Sequence, residues 1–235
     1  MRVLATTAFV FLAPLQALAQ GTGAPAAPDW SGFSAGLQAG GAWGSSSWTD
    51  HFAGDIGSHV ASGALGGLQA GYDRQTGAWV WGARADASWS GLAGSHQDAV
   101  FGYGPVPQYD REKVDFTGTI TARLGHAWGP ALVSVRAGAA WAHARYSLEG
   151  YYVAGQEFTA ASTIRWGWTA GLGIEYGFAG PWVASFEYDY LGMGSHRADL
   201  SCTTSQACRD VGTDPISIDV RENFHVLKAA VAYRF

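Results

Sequence analysis

The segment Ile164-Arg165-Trp166-Gly167-Trp168-Thr169-Ala170-Gly171-Leu172-Gly173-Ile174-Glu175-Tyr176 alternates without a break between two kinds of residue. The even-numbered positions carry large apolar residues or Ala170, and the odd-numbered positions carry glycine, threonine or a charge. Successive side chains of a β-strand point to opposite faces, so a period of two predicts a strand rather than a helix. One face of this strand is suited to an apolar environment, and the other to a narrow polar one.

Seven further segments show the same alternation, and together they predict eight strands. They cover residues 33–43, 64–73, 79–89, 114–126, 131–145, 164–176, 182–190 and 223–235. The connections alternate in length. Those at 74–77, 126–130 and 177–181 are short and marked by glycine or proline, whereas those at 44–63, 90–113, 146–163 and 191–222 are long and polar. This rhythm is typical of an all-β, eight-stranded antiparallel transmembrane β-barrel with short periplasmic turns and long outer loops.

The composition supports a membrane barrel over other classes of protein. Charged residues make up 14% of the chain, against roughly 25% in an average soluble protein. A soluble β-protein needs a charge-rich outer face, and this chain has 33 Gly, 11 Trp, 10 Tyr and 11 Phe instead. After the N-terminus no apolar run is long enough for a membrane helix. The net charge of −5 argues against a nucleic-acid partner.

Alternation alone does not say whether the apolar face points inward to a ligand or outward to lipid. Aromatic residues concentrate at the strand ends, where membrane barrels carry interfacial girdles. The opposite faces carry small residues and nearly balanced charges, which predicts a lumen charge network. Its expected members are Arg84, Asp86, Asp115, Arg123, Arg136, Arg165, Glu175, Glu187, Asp189, Lys228 and Arg234.

The N-terminus predicts export. Residues 1–19 have one early charge, Arg2, an apolar run, and the small-x-small pattern Ala17-Leu18-Ala19 of a signal peptide. A short membrane helix is the alternative, but Pro14 interrupts the run. We expect residues 20–30 to be a linker and residues 31–235 to be the outer-membrane barrel domain. In an oxidising compartment, Cys202 and Cys208 are expected to form one local disulfide.

The two ends of the barrel region resemble a known family. The start Trp30-Ser31-Gly32-Phe33 with Gly40-Gly41-Ala42-Trp43-Gly44 and the end Asn223-Phe224-His225 with Tyr233-Arg234-Phe235 are similar to small outer-membrane immunogenic or opacity-type surface antigens of alphaproteobacteria. The resemblance covers the whole mature chain. It implies an eight-stranded barrel, surface display and no catalytic mechanism. It also implies insertion by the barrel-assembly machinery, with Tyr233 and Phe235 as the assembly signal. The cysteine loop and the high tryptophan content depart from the family.

Metal and enzyme sites have little support in the sequence, so no catalytic, cofactor or metal site is expected. His51, His59, His96 and His196 fall in predicted loops near Asp50, Asp55, Asp98 and Asp199, without the tight spacing of metal ligands. An enzyme acting on lipid would need a Ser–His–acid set near the outer rim. His143, Ser147 and Glu149 lie close enough in sequence for this, but no nucleophile motif surrounds them.

The sequence therefore predicts a non-enzymatic protein of the outer membrane, with a structural and surface-display role. Its expected partners are outer-membrane lipid and lipopolysaccharide, and a host or surface ligand could bind the outer loops. Two alternatives stay open at this point. One is a narrow porin for small solutes, and the other is an adhesion or host-contact antigen.

Overall fold

The computed structural model describes residues 28–51, 54–98, 107–150, 157–202 and 215–235. They form eight antiparallel strands, each paired with the next, and β1 pairs with β8 to close a barrel. The strands are β1 Gly32–Asp50, β2 Gly54–Thr76, β3 Trp79–Gln97, β4 Tyr109–Trp128, β5 Ala131–Glu149, β6 Glu157–Ala179, β7 Trp182–Cys202 and β8 Ile216–Arg234. Helices long and apolar enough to cross a membrane are not found among these residues. The predicted eight-stranded barrel is confirmed.

Three tight hairpin turns lie at one end of the barrel. Gly77, Gly129 and Gly180 each follow a strand directly and have φ values of 62°, 58° and 56°. Glycine adopts this left-handed conformation without a steric penalty, and two-residue hairpin turns require it. These turns are shorter than the sequence predicted, because each preceding strand continues up to the glycine.

At the other end the strands also extend further than predicted. Most of the residues that were expected in long loops lie in strands instead. Much of 44–63, 90–113, 146–163 and 191–222 forms continuous antiparallel ladder. Exposed aromatic side chains mark two girdles, one with Trp79, Tyr176 and Trp182 near the turns and one with Trp43, Trp89, Trp166 and Trp168 further out. The strand residues beyond the second girdle are here called the outer extension: 44–50, 54–63, 90–97, 109–115, 142–149, 157–163, 191–202 and 216–224.

The interior is filled in three layers. Trp30, Val80, Leu132 and Val183 form an apolar cluster near the turns. Buried charged residues occupy the middle. A second and larger apolar cluster, which includes Trp48, Leu92, Tyr146 and Phe224, fills the outer extension. The outward side chains between the girdles are apolar, for example Leu37, Val135 and Leu172. The barrel therefore turns its apolar face outward and its polar face inward, as membrane barrels do.

Candidate functional site

A network of ion pairs crosses the middle of the lumen. Arg84 donates to Glu187 at 2.6 Å and lies 3.4 Å from Glu175. Arg136 contacts the same Glu187 at 2.8 Å and also pairs with Asp189. Each of these side chains is about nine-tenths buried or more. Charges that are so far from water need partners, and here each cation contacts at least one carboxylate.

The network links almost the whole ring of strands. Arg123 on β4 contacts Asp73 on β2 at 2.7 Å and pairs with Glu175 on β6. Lys228 on β8 lies 3.2 Å from Asp189, 3.5 Å from Asp86 and 3.6 Å from Glu187. Seven of the eight strands contribute a charge, and β1 contributes Gln38, which donates to Ser88 at 2.9 Å. These contacts connect the walls of the barrel to one another through its interior.

Three residues assigned to this network by sequence lie elsewhere. The Arg165 side chain points into the outer extension, where it pairs with Glu222 and donates to Tyr146 at 2.7 Å. Arg234 lies near the turns, stacked 4.9 Å from the ring of Trp30. Asp115 faces outward, so its assignment to the lumen is wrong. A β-bulge separates the pairs Val114↔Ala144 and Phe116↔His143, and this extra residue reverses the facing of everything beyond it on β4.

Sequence reasoning missed Asp73 and Trp30. Asp73 ends the predicted second strand on its polar face, so the alternation already contained this signal. Trp30 was assigned to the linker, but its side chain is buried in the apolar layer near the turns. Its backbone N–H donates to Gln75 Oε1 at 2.7 Å, which fixes the entering chain against β2.

Two histidines expected in loops point into the outer extension instead. His59 lies 3.3 Å from Glu112, and His96 lies 3.0 Å from Asp110. The two imidazoles also share a hydrogen bond of 3.0 Å between their Nδ1 atoms. Burial lowers the pKa of His96, but the hydrogen bond and charge of Asp110 outweigh it and leave that pKa above its usual value. Within the described ranges no three His, Cys, Asp or Glu residues are grouped to hold a metal ion.

On the outer wall, His143 contacts residues other than Ser147 and Glu149, which the sequence suggested as its partners. Its Nδ1 lies 2.6 Å from Asp115 Oδ1, and its Nε2 lies 2.9 Å from Ser162 Oγ. Ser147 is not among these contacts, and Glu149 instead accepts from Arg111 at 2.8 Å. The partners come from β4 and β6, the two strands that flank β5.

Two further predictions concern the ends of elements. Phe235 follows β8 with an exposed ring packed 5.1 Å from that of Tyr233, and its N–H donates to Phe33 at 2.9 Å. Recognition of these residues by the assembly machinery stays a prediction. Cys202 ends β7, whereas Cys208 and residues 1–19 lie outside the described residues. The disulfide and the signal peptide therefore also stay predictions.

Comparison with known proteins agrees with the fold. The family model "Outer membrane protein beta-barrel domain" matches residues 5–235. The 31 kDa outer-membrane immunogenic proteins of Brucella melitensis and Brucella suis are each 28% identical over 178 residues, which is 75% of this chain and 68% of theirs.

Two solved structures are similar in fold. OprG of Pseudomonas aeruginosa has a TM-score of 0.56 at 15% identity, with 87% of this chain and 96% of that one covered. The outer membrane protease OmpT of Escherichia coli has a TM-score of 0.52 at 7% identity, with 87% and 97% covered. At such identities the likeness concerns the fold alone. The closed barrel, its outward apolar belt and the family match together show that this chain is an outer-membrane protein of the outer membrane protein β-barrel domain family.

Proposed function

We propose that this protein is a closed structural barrel of the outer membrane, which displays its outer extension and connecting segments at the cell surface. The observation that carries this proposal is the filled lumen. The apolar layer around Trp30, the ion-pair network and the outer apolar cluster succeed one another along the barrel axis. An eight-stranded barrel is just wide enough for side chains to fill.

The remaining space in the lumen supports a closed rather than a conducting barrel. One cavity, lined by residues that include Trp30, Asp73 and Arg84, has a volume of about 10 Å³. Another, lined by residues that include Asp86, Asp189 and Lys228, has a volume of about 20 Å³. Each is comparable to the space that a single water molecule needs. A narrow porin would need a continuous path between them, and ion-paired side chains lie in the way.

Surface display is supported by the length of the strands. Several residues of each strand extend past the outer girdle, so a rigid part of the barrel stands above the membrane. The segments 51–53, 98–108, 150–156 and 203–215 connect strands at this end. The similar Brucella proteins are named as outer-membrane immunogenic proteins, and we extend that immunogenic character to this chain as part of the proposal.

Conductance of the refolded protein in planar bilayers tests the closed lumen. We expect no steady openings from the wild-type chain. The combined variant Trp30→Ala, Arg84→Ala, Glu187→Ala and Trp48→Ala should conduct, since it removes one bulky side chain from each apolar layer and two from the network. Steady openings of the wild-type protein would favour the narrow porin instead.

A further inference from the structure

We propose that Asp115, His143 and Ser162 form a serine hydrolase site on the outward wall of the barrel, where the outer extension begins at the membrane surface, which cleaves acyl esters of phosphate-bearing lipids in the outer leaflet. The proposal goes beyond the structural role above and departs from the sequence-based expectation of a non-enzymatic protein. It rests on a chain of two hydrogen bonds, on its depth at the membrane surface, and on a basic groove beside it.

The hydrogen-bond chain has the connectivity of a nucleophile, a base and an orienting acid. Asp115 can only accept when ionised, so the proton between it and His143 belongs to Nδ1, and the bond measures 2.6 Å. The neutral ring then has an acceptor at Nε2, to which the Ser162 hydroxyl donates at 2.9 Å. This is the tautomer that allows an imidazole to take a serine proton.

Three neighbouring strands hold the three side chains outward. His143 on β5 is paired with Phe116 on β4 and with Ile164 on β6. The bulge at Asp115 turns its carboxylate to the outer face, where the plain alternation of β4 would have put it inside. Bulges are over-represented next to active sites because they re-aim one side chain. Asp115 and His143 keep 50% and 38% of their side-chain surface exposed, and Ser162 is exposed as well.

The site lies at the depth where lipid esters are found. Trp141 on β5 and Trp166 on β6 lie next to the site on its membrane side, and their rings are 5.6 Å apart. Tryptophan side chains of membrane barrels collect at headgroup level. An acyl ester of a lipid lying against the wall could therefore reach Ser162 laterally, without leaving the membrane.

A basic groove begins directly above the site. Lys113 and Arg145 are cross-strand partners on the outer face, and Arg145 is also the partner of Ser162. The groove has a volume of about 470 Å³ and is lined by Ala93, Gly94, Ser95, Arg111, Glu112, Lys113, Arg145 and Ser147. Arg145 already lies 3.3 Å from Glu157, and Arg111 lies 2.8 Å from Glu149, whereas Lys113 has no ion pair among the described residues. A lipid phosphate would pair with the Lys113 ammonium about two residues, or about 7 Å, along the strand from the triad.

The developing oxyanion needs a hydrogen-bond donor, and we place this donor in the backbone beside Ser162. Pairing between β6 and β7 stops after Ala160↔Ser201 and resumes at Trp168↔Gly192, and Ser162 lies in this interval. Residues 194–200 of β7 stay paired with β8 on their other edge, so we assign the donor to a backbone N–H group of the irregular β6–β7 edge beside Ser162. Such groups can stabilise a tetrahedral intermediate.

The reaction is a two-step acyl transfer that consumes one water. Ser162 Oγ attacks the ester carbonyl carbon while His143 Nε2 takes the hydroxyl proton. His143 then returns this proton to the alcohol oxygen as the C–O bond breaks, which leaves an acyl-serine and the deacylated lipid. Water, deprotonated by His143, attacks the acyl-serine, and the fatty acid leaves as Ser162 regains its proton.

Labelling with a fluorophosphonate probe tests the nucleophile without any assumption about the lipid. The probe should attach covalently to Ser162 in the refolded wild-type barrel. Labelling should disappear in Ser162→Ala and fall by about a hundredfold or more in His143→Ala and Asp115→Asn, since these variants lose the base or its orientation. The matched control is Ser217→Ala, because Ser217 donates to Asp199 at 2.7 Å and has no imidazole in that bond. All variants should keep the heat-modifiable mobility of a folded barrel on gels, because the substituted side chains face outward.

The substrate is tested with two lipids and one uncharged ester. Fatty-acid release is measured from vesicles of phosphatidylethanolamine with phosphatidylglycerol, and separately from micelles of purified lipid A. Release that depends on Ser162 from either lipid supports the proposal and identifies the source. Lys113→Ala should raise KM for that lipid about tenfold more than it raises KM for p-nitrophenyl decanoate, since the second substrate lacks a phosphate. An unlabelled Ser162, or a labelled one with no release from either lipid, overturns the proposal.

Discussion

At the scale of single residues, Glu187 is the most connected carboxylate of the lumen. It contacts Arg84, Arg136 and Lys228, and all four side chains are buried. Buried ion pairs add little net stability by themselves, because desolvation offsets the attraction. Removing one partner is costly, because the three cations stay buried with fewer carboxylates to offset their charge.

Glu187→Ala should therefore lower the free energy of unfolding by about 3–5 kcal/mol, measured by urea titration in lipid vesicles. Asp219→Ala is the matched control, since Asp219 pairs with Arg197 at 3.6 Å on the exposed outer wall. Its loss should cost about 0–1 kcal/mol, as for other surface ion pairs. Similar losses for both variants would mean that the lumen is hydrated rather than filled.

At the scale of elements, the β1–β8 pair closes the barrel and depends on small residues. Gly40 on β1 lies so close to β8 that a Cβ atom would overlap the carbonyl oxygen of Leu227. Its neighbour Gly41 faces outward, and a Cβ there would meet its nearest neighbour, the carbonyl oxygen of Gly63, at 3.7 Å. Two adjacent glycines of one strand thus have different steric roles.

Gly40→Ala should destabilise the closed barrel by about 1–3 kcal/mol, because the strands must move apart. Gly41→Ala should be neutral or slightly stabilising, because alanine restricts the unfolded chain. The folded fraction after refolding, read from heat-modifiable migration on gels, compares the two. An equal loss at both positions would contradict the register of this closure.

At the scale of the whole molecule, the two aromatic girdles divide the barrel into a membrane part and the outer extension. Leu172 lies between the girdles on β6, and Val60 lies in the outer extension on β2. Both point outward, with 53% and 66% of their surface exposed. The two side chains therefore both point away from the barrel, and they differ only in their position relative to the membrane.

Leu172→Arg should cost about 2–4 kcal/mol, because an outward arginine near the middle of the bilayer loses its hydration. Val60→Arg should cost less than about 1 kcal/mol, because water surrounds that part of the wall. The free energy of unfolding of each variant, measured in lipid vesicles, tests these two expected costs. If Val60→Arg costs as much as Leu172→Arg, the membrane boundary lies further out than the Trp43 girdle.

Alternation along the chain was enough to predict eight strands, because it is a local property of each strand. The aromatic strand ends and the nearly balanced charges of the opposite faces added the outward direction of the apolar face. In residues 164–176 the alternation is visible in the sequence without reference to any partner strand. The tertiary structure alone decided which residues meet. The bulge at Asp115 depends on how β4 pairs with β5, so the period of two predicted the wrong face for this residue. Ser162 reaches His143 only because β5 and β6 pair in one register, and sequence proximity pointed to Ser147 instead. Pairing register and bulges are set by neighbouring strands, and a single strand's sequence does not contain them.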